Sequence, residues 1–105
     1  MDKGTTLTQQ QVLDIVKEYK RVIASHFSTE PQVYLYGSYS KGLARPGSDI
    51  DVAVIVNDFN GNWLEQSTNI GLDAIKLNVL IEPVLMEQND PSPLYYDVIH
   101  TGIAV

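Results

Sequence analysis

The sequence predicts an α/β (α+β) architecture, a small mixed β-sheet with flanking helices. Three observations carry this reading. An early segment repeats apolar residues at helical spacing, two short runs rich in β-branched and aromatic residues flank a glycine-rich stretch, and helical and strand patterns then alternate to the end of the chain.

Thr8 followed by Gln11 is a capping-box pattern, and Leu7 with Val12 is placed for a hydrophobic staple. Val12, Ile15, Val16, Tyr19, Val22, Ile23 and Phe27 then recur on one helical face. Pro31 closes the connection to Val33–Tyr36, which has the composition of a strand; Tyr34 and Tyr36 are expected to straddle its faces. Gly37 to Ser48 is glycine-rich, with a helix-like stretch from Tyr39 to Leu43. Ile50 to Val56 is almost continuous in Val, Ile and Ala, as in a strand buried on both sides.

Asp58, Asn60, Gly61 and Asn62 read as a turn. Trp63, Leu64, Ser67, Ile70, Leu72, Ala74 and Ile75 form a roughly helical pattern, which Gly71 weakens, and Trp63 is expected to anchor that helix in the core or at an interface. Val79 to Leu85 is the third strand, where Pro83 cannot donate to a ladder and so marks an unpaired, edge-like or bulged side. Leu94 to His100 makes a short last helix with Gly102 at its C-cap. The connection from Tyr36 to Ile50 is near the minimum for a parallel crossover, so the sheet is expected to be mixed.

Residues 1–105 are enough for one domain, and the hydrophobic content of 44% is enough for a core. The absence of cysteine excludes a disulfide framework and a thiolate metal site. No apolar run approaches the ~20 residues of a membrane span, and Met1-Asp2-Lys3-Gly4 lacks the basic and apolar regions of a signal peptide. A soluble, cytoplasmic protein is expected. A net charge of −6 disfavours long nucleic acid, whose backbone needs clustered cations, and suits a basic protein partner. His26 and His100 close helices and have no second His or Cys at zinc spacing. Ser38 has no His-Asp partner that would suggest a hydrolase, and Asp58 and Asp73 read as turn and helix-surface charges.

The chemistry-bearing residues lie around the glycine-rich stretch. Asp49 and Asp51 are two apart at the start of a strand, so both carboxylates face one side with Cα atoms about 7 Å apart. Two carboxylates that close repel one another unless a cation joins them, and Mg2+ typically binds one or two carboxylates together with substrate phosphates. Gly37-Ser38 directly follows a strand. A glycine lets the backbone approach a phosphate, and the Ser38 hydroxyl, Lys41 and Arg45 are placed to meet its oxygens and charge.

Gly37-Ser38, ten further residues, and then Asp49-Ile50-Asp51 resembles the signature of the DNA polymerase beta nucleotidyltransferase superfamily. The string from Gly37 to Val52 is similar to the form that signature takes in minimal nucleotidyltransferase (MNT) proteins. The resemblance is carried by Tyr34 to Val56 and extends more weakly through strand order, Ile81-Glu82-Pro83 and the helix opening at Ser92-Pro93-Leu94. It implies a nucleotidyltransferase fold in which Gly37 and Ser38, with Lys41, Arg45 and Ser48, hold the triphosphate of ATP. Asp49 and Asp51 would be ligands of two Mg2+ ions, and the family's third carboxylate falls on Glu82, where many relatives carry Asp. Lys41 stands where a frequent arginine does, giving a point charge in place of a bidentate fork.

The implied reaction moves a nucleoside monophosphate, AMP from ATP, onto a hydroxyl, with Glu82 helping to deprotonate the acceptor. MNT proteins commonly accompany a small helical HEPN protein as antitoxin and toxin, so the implied acceptor is a tyrosine of that partner. Two alternatives stand beside it: a non-catalytic nucleotide- or partner-binding module, and a small-molecule, aminoglycoside-type nucleotidyltransferase, for which no extra acceptor domain is seen.

Overall fold

A computed structural model describes residues 6–105, so the reading of Met1 to Gly4 lies outside the described residues. Helix α1 (Gln9–Ile23) begins at the capping box. The Gln11 amide donates to Thr8 Oγ1 at 3.0 Å, and the Thr8 amide donates to Gln11 Oε1 at 2.8 Å. Its buried stripe is Val12, Val16, Tyr19 and Ile23, while Lys20 and Arg21 occupy the last turn, where cations oppose the negative end of the helix dipole. A 3-10 turn, Ala24–His26, leads to β1 (Gln32–Tyr36), which runs directly into the short helix α2 (Ser38–Lys41). Then come β2 (Ile50–Val56), α3 (Trp63–Leu77), β3 (Ile81–Glu87), α4 (Pro93–Thr101) and β4 (Ile103–Ala104).

Among the described residues four strands form one sheet, in the order β3-β2-β1-β4. β1 is antiparallel to both β2 and β4, and β2 is parallel to β3, so the sheet is mixed, with flanking helices. One face packs Val33, Leu35, Val52 and Val54 against α1, α2 and α3, with Tyr19, Tyr39 and Ile70 in the same cluster. The other face, with Ala53, Ile55 and Met86, is covered by Val98 and Tyr95 of α4. β2 feeds both clusters and is buried on both sides, as its apolar run predicts. Pro83 lies on β3, an edge strand, where one missing donor is tolerated. Among the described residues no helix is long and apolar enough to cross a membrane.

Several local expectations are corrected. Tyr34 and Tyr36 share one face, because residues i and i+2 of a strand point the same way, and both pack on the α4 side. The third strand starts two residues later than expected. Asn78 ends α3 and its side chain accepts from the Leu80 amide at 2.9 Å, a local turn that leaves Val79 exposed. α3 runs unbroken through Gly71, yet only Ile70 and Ala74 are buried, and Trp63, Leu64, Leu72 and Ile75 are exposed. Of the two places expected for Trp63, its exposure excludes the core. Asp73 is not a free surface charge: it meets His26 Nε2 at 2.6 Å and ties the 3-10 turn to α3. Gly102 does cap α4, in an extended rather than left-handed conformation. A side chain there would collide with the Val98 carbonyl.

Candidate active site

Three strands align the chemistry. Tyr36 pairs with Asp51 across β1 and β2, and Asp51 pairs with Glu82 across β2 and β3. Residues paired on neighbouring strands share a face, so the three side chains form one row on the α4 side of the sheet. Asp49 lies just before β2 and is exposed; its neighbour Ile50 already donates to the Leu80 carbonyl at 2.7 Å. Glu82 is exposed, as its place on an edge strand allows.

The row is electrostatically crowded. Burial, and then the charges of Asp49 and Glu82, hold the Asp51 carboxyl above the ordinary carboxylate range. The Tyr36 phenol is pushed up to about 12, first by burial and then by Asp51, Glu82 and Asp97. An oxygen-only donor set under mutual repulsion suits a hard divalent cation that completes its shell with phosphate oxygens. Among the described residues, however, no three carboxylates or imidazoles are gathered into one ligand cluster. Glu82 faces Asp51 along the ladder without closing a three-membered shell.

The glycine-rich loop is pressed against this row. Gly37 has φ +77°, and a Cβ added there would run into the Asp51 carboxylate, so only glycine allows the approach. Ser38 opens α2, which is held from three sides. Tyr39 is buried in the core, the Gln9 side-chain amide donates to the Tyr39 carbonyl at 3.0 Å, and Ser40 Oγ donates to the Gly37 carbonyl at 2.9 Å. Lys41 ends α2 with its ammonium 3.4 Å from each carboxylate oxygen of Asp97 on α4.

Arg45 and Ser48 belong to a separate turn. With Pro46 next and Gly47 at φ +82°, the segment has type II chemistry. Its ends are tied by the Arg45 amide donating to Ser48 Oγ at 2.8 Å and the Ser48 amide donating to the Arg45 carbonyl at 3.0 Å. The Ser48 hydroxyl thus holds the turn that delivers Asp49, and Arg45 is exposed on it. Gly37, Asp49, Asp51 and Glu82 come together; Lys41 is held by Asp97, whose charge acts on Tyr36.

Two residues of this neighbourhood escape the sequence reading. Tyr36 was open to discovery, since strand parity puts it on the face of the residue it pairs with. Asp97 carries no such signal, because only the tertiary fold brings α4 to α2.

Residues 13–96 match the family model described as the nucleotidyltransferase domain. A Methanocaldococcus jannaschii protein, inferred to be a protein adenylyltransferase, is 25% identical over 100 residues, covering 90% of this chain and 99% of that one. Among solved structures, an inferred nucleotidyltransferase from Sulfolobus solfataricus has a TM-score of 0.64 at 18% identity, over 91% of this chain and 80% of that chain. The toxin–antitoxin pair MntA–HpeT, in a mutant form, gives 0.54 at 18% identity, over 93% and 72%. A toxin–antitoxin structure with AMP-PNP gives 0.50 at 22% identity, over 93% and 72%. At such identities these structural likenesses bear on the fold.

Proposed function

The chain belongs to the nucleotidyltransferase domain family, and on that premise we propose that it transfers AMP from ATP to a protein hydroxyl, a tyrosine of a helical HEPN-type toxin that the modification silences. The observation that carries the reading is the Asp51–Glu82 pair beside Asp49, with Gly37 packed against Asp51. The relative inferred to be a protein adenylyltransferase supports the acceptor class, and the toxin–antitoxin neighbours support the setting.

Gly37 lets the backbone reach the triphosphate, and the Ser38 hydroxyl donates to its oxygens. Lys41, exchanging Asp97 for phosphate, and Arg45 meet its charge. Asp49 and Asp51 would hold Mg2+ ions, with Glu82 beside them; when bound, these ions neutralise the triphosphate and polarise the α-phosphorus. Glu82 accepts the proton of the attacking tyrosine hydroxyl as its oxygen bonds to the α-phosphorus and pyrophosphate departs. The remaining contribution is positioning. A cytoplasmic location gives access to ATP.

The test is incubation with α-labelled ATP, Mg2+ and a candidate helical partner. The label is expected on the partner's tyrosine and to be lost when that tyrosine becomes phenylalanine. Asp51→Asn should abolish transfer; Glu82→Gln should cut turnover steeply while leaving nucleotide affinity largely intact, the pattern of a group acting in the transition state. Full activity in either variant would overturn the site. ATP binding without transfer would mark a non-catalytic module instead, and label on a small molecule would mark a different acceptor.

A further inference from the structure

At the opposite end of the sheet from the carboxylate row lies a cavity of about 310 Å3, between the segment after the 3-10 turn, the end of β2 and the start of α3. We infer that it is a second binding site, for a small organic cation rich in hydrogen-bond donors, an amine or a guanidine. Ile55 and Val56 at its floor stand four and five residues along β2 from Asp51, so at about 3.3 Å per residue it is roughly 15 Å from the proposed active site. It opens beyond the carboxyl ends of β2 and β3, the parallel pair, and such ends are where open α/β sheets place ligands.

Its chemistry selects the ligand. Gln66 lines the cavity, and its Oε1 is buried with no hydrogen-bond partner among the described residues, so a turn of this side chain would present an unpaired acceptor to a donor in the cavity. Gln32, Asn57 and Gln88 line the same space with further amides, and the two charged residues of the lining, Glu30 and Asp58, are both acidic. Glu30 is paired with Lys20 at 3.4 Å, and Asp58 Oδ1 accepts the Asn60 amide, which leaves the second Asp58 oxygen to attract a cation. Among the described residues no Lys, Arg or His lines the cavity, so an anion would shed its hydration without a compensating charge. The volume is about ten times that of one water molecule, ample for a short diamine or an alkylguanidine.

The probe is agmatine, titrated into the isotope-labelled whole chain without ATP and read by amide and side-chain nuclear magnetic resonance. Saturable shifts are expected at the Gln66 side chain and around Gln32 and Asn57, with none from inorganic phosphate. Gln66→Leu should weaken agmatine binding roughly tenfold or more, the loss of one hydrogen bond from a charged donor. Its melting temperature should not fall, because an unpaired buried acceptor has been removed, and its ATP titration should match that of the unaltered chain. Gln66→Glu should tighten binding. Absence of saturable shifts into the millimolar range would overturn the inference. So would equal shifts from phosphate, unchanged binding in Gln66→Leu, or a crystal grown with agmatine in which Gln66 bonds only to water. The ATP titration keeps such a failure separate from any failure of the transferase reading.

Discussion

At Gly37 a positive φ and the adjoining Asp51 carboxylate act on the same atom position, the one a Cβ would take. Gly37→Ala should therefore destabilise the chain by about 1–3 kcal/mol from backbone strain alone. Urea unfolding measures that loss, and transfer should fall further because Asp51 must move aside. Asp51 gives a second, pH-dependent prediction. Its folded pKa lies above its unfolded value, so the native state holds the proton more tightly. The stability that the protonated form contributes is complete below the unfolded pKa and is lost as pH rises through the folded one, leaving the charge unfavourable at neutral pH. Asp51→Asn should accordingly melt above the unaltered chain at pH 7 without divalent cations, the gap closing below the ordinary carboxylate range. A gap independent of pH in calorimetry would contradict the crowding described here.

Helix α3 shows how unequal two neighbouring apolar positions can be. Ile70 is buried and receives Tyr19 Oη on its carbonyl at 2.5 Å, whereas Leu72 is half exposed. Ile70→Ala should cost about 2–5 kcal/mol and Leu72→Ala only about 0.5 kcal/mol, both read from denaturant midpoints. The same contrast explains what the sequence could and could not disclose. Thr8 with Gln11 announces α1, and the Val-Ile run announces β2, because each signal is complete within a few residues. Periodicity marks α3 as helical but not which positions find cover: Ile70 and Ala74 do, whereas Trp63, Leu64, Leu72 and Ile75, part of the same pattern, stay exposed. β4 has two residues, too few for a pattern, and exists only because β1 offers a ladder to Ile103 and Ala104. In the site, Gly37, Asp49 and Asp51 were legible by spacing. The pairing of Lys41 with Asp97 and the place of Tyr36 in the row depend on strand register and on α4, which no local pattern encodes.

The two faces of the sheet carry different loads: among the described residues α1, α2 and α3 cover one, and α4 alone covers the other, which leaves the carboxylate row accessible. The strand order adds a consequence in time. β1 and β2 are joined by a short connection and pair antiparallel, whereas β3 reaches β2 only after α3 has crossed over. Contacts between residues close in sequence require less loop closure, so the β1–β2 pair should assemble early and β3 should dock late. Leu35→Ala is then expected to slow refolding in stopped-flow traces, while Leu85→Ala mainly quickens unfolding. Both aspartates arrive with the early pair and Glu82 arrives with the last strand. On the proposed reading, brief fraying of the Glu82 end of that one edge would therefore silence transfer in molecules that remain largely folded.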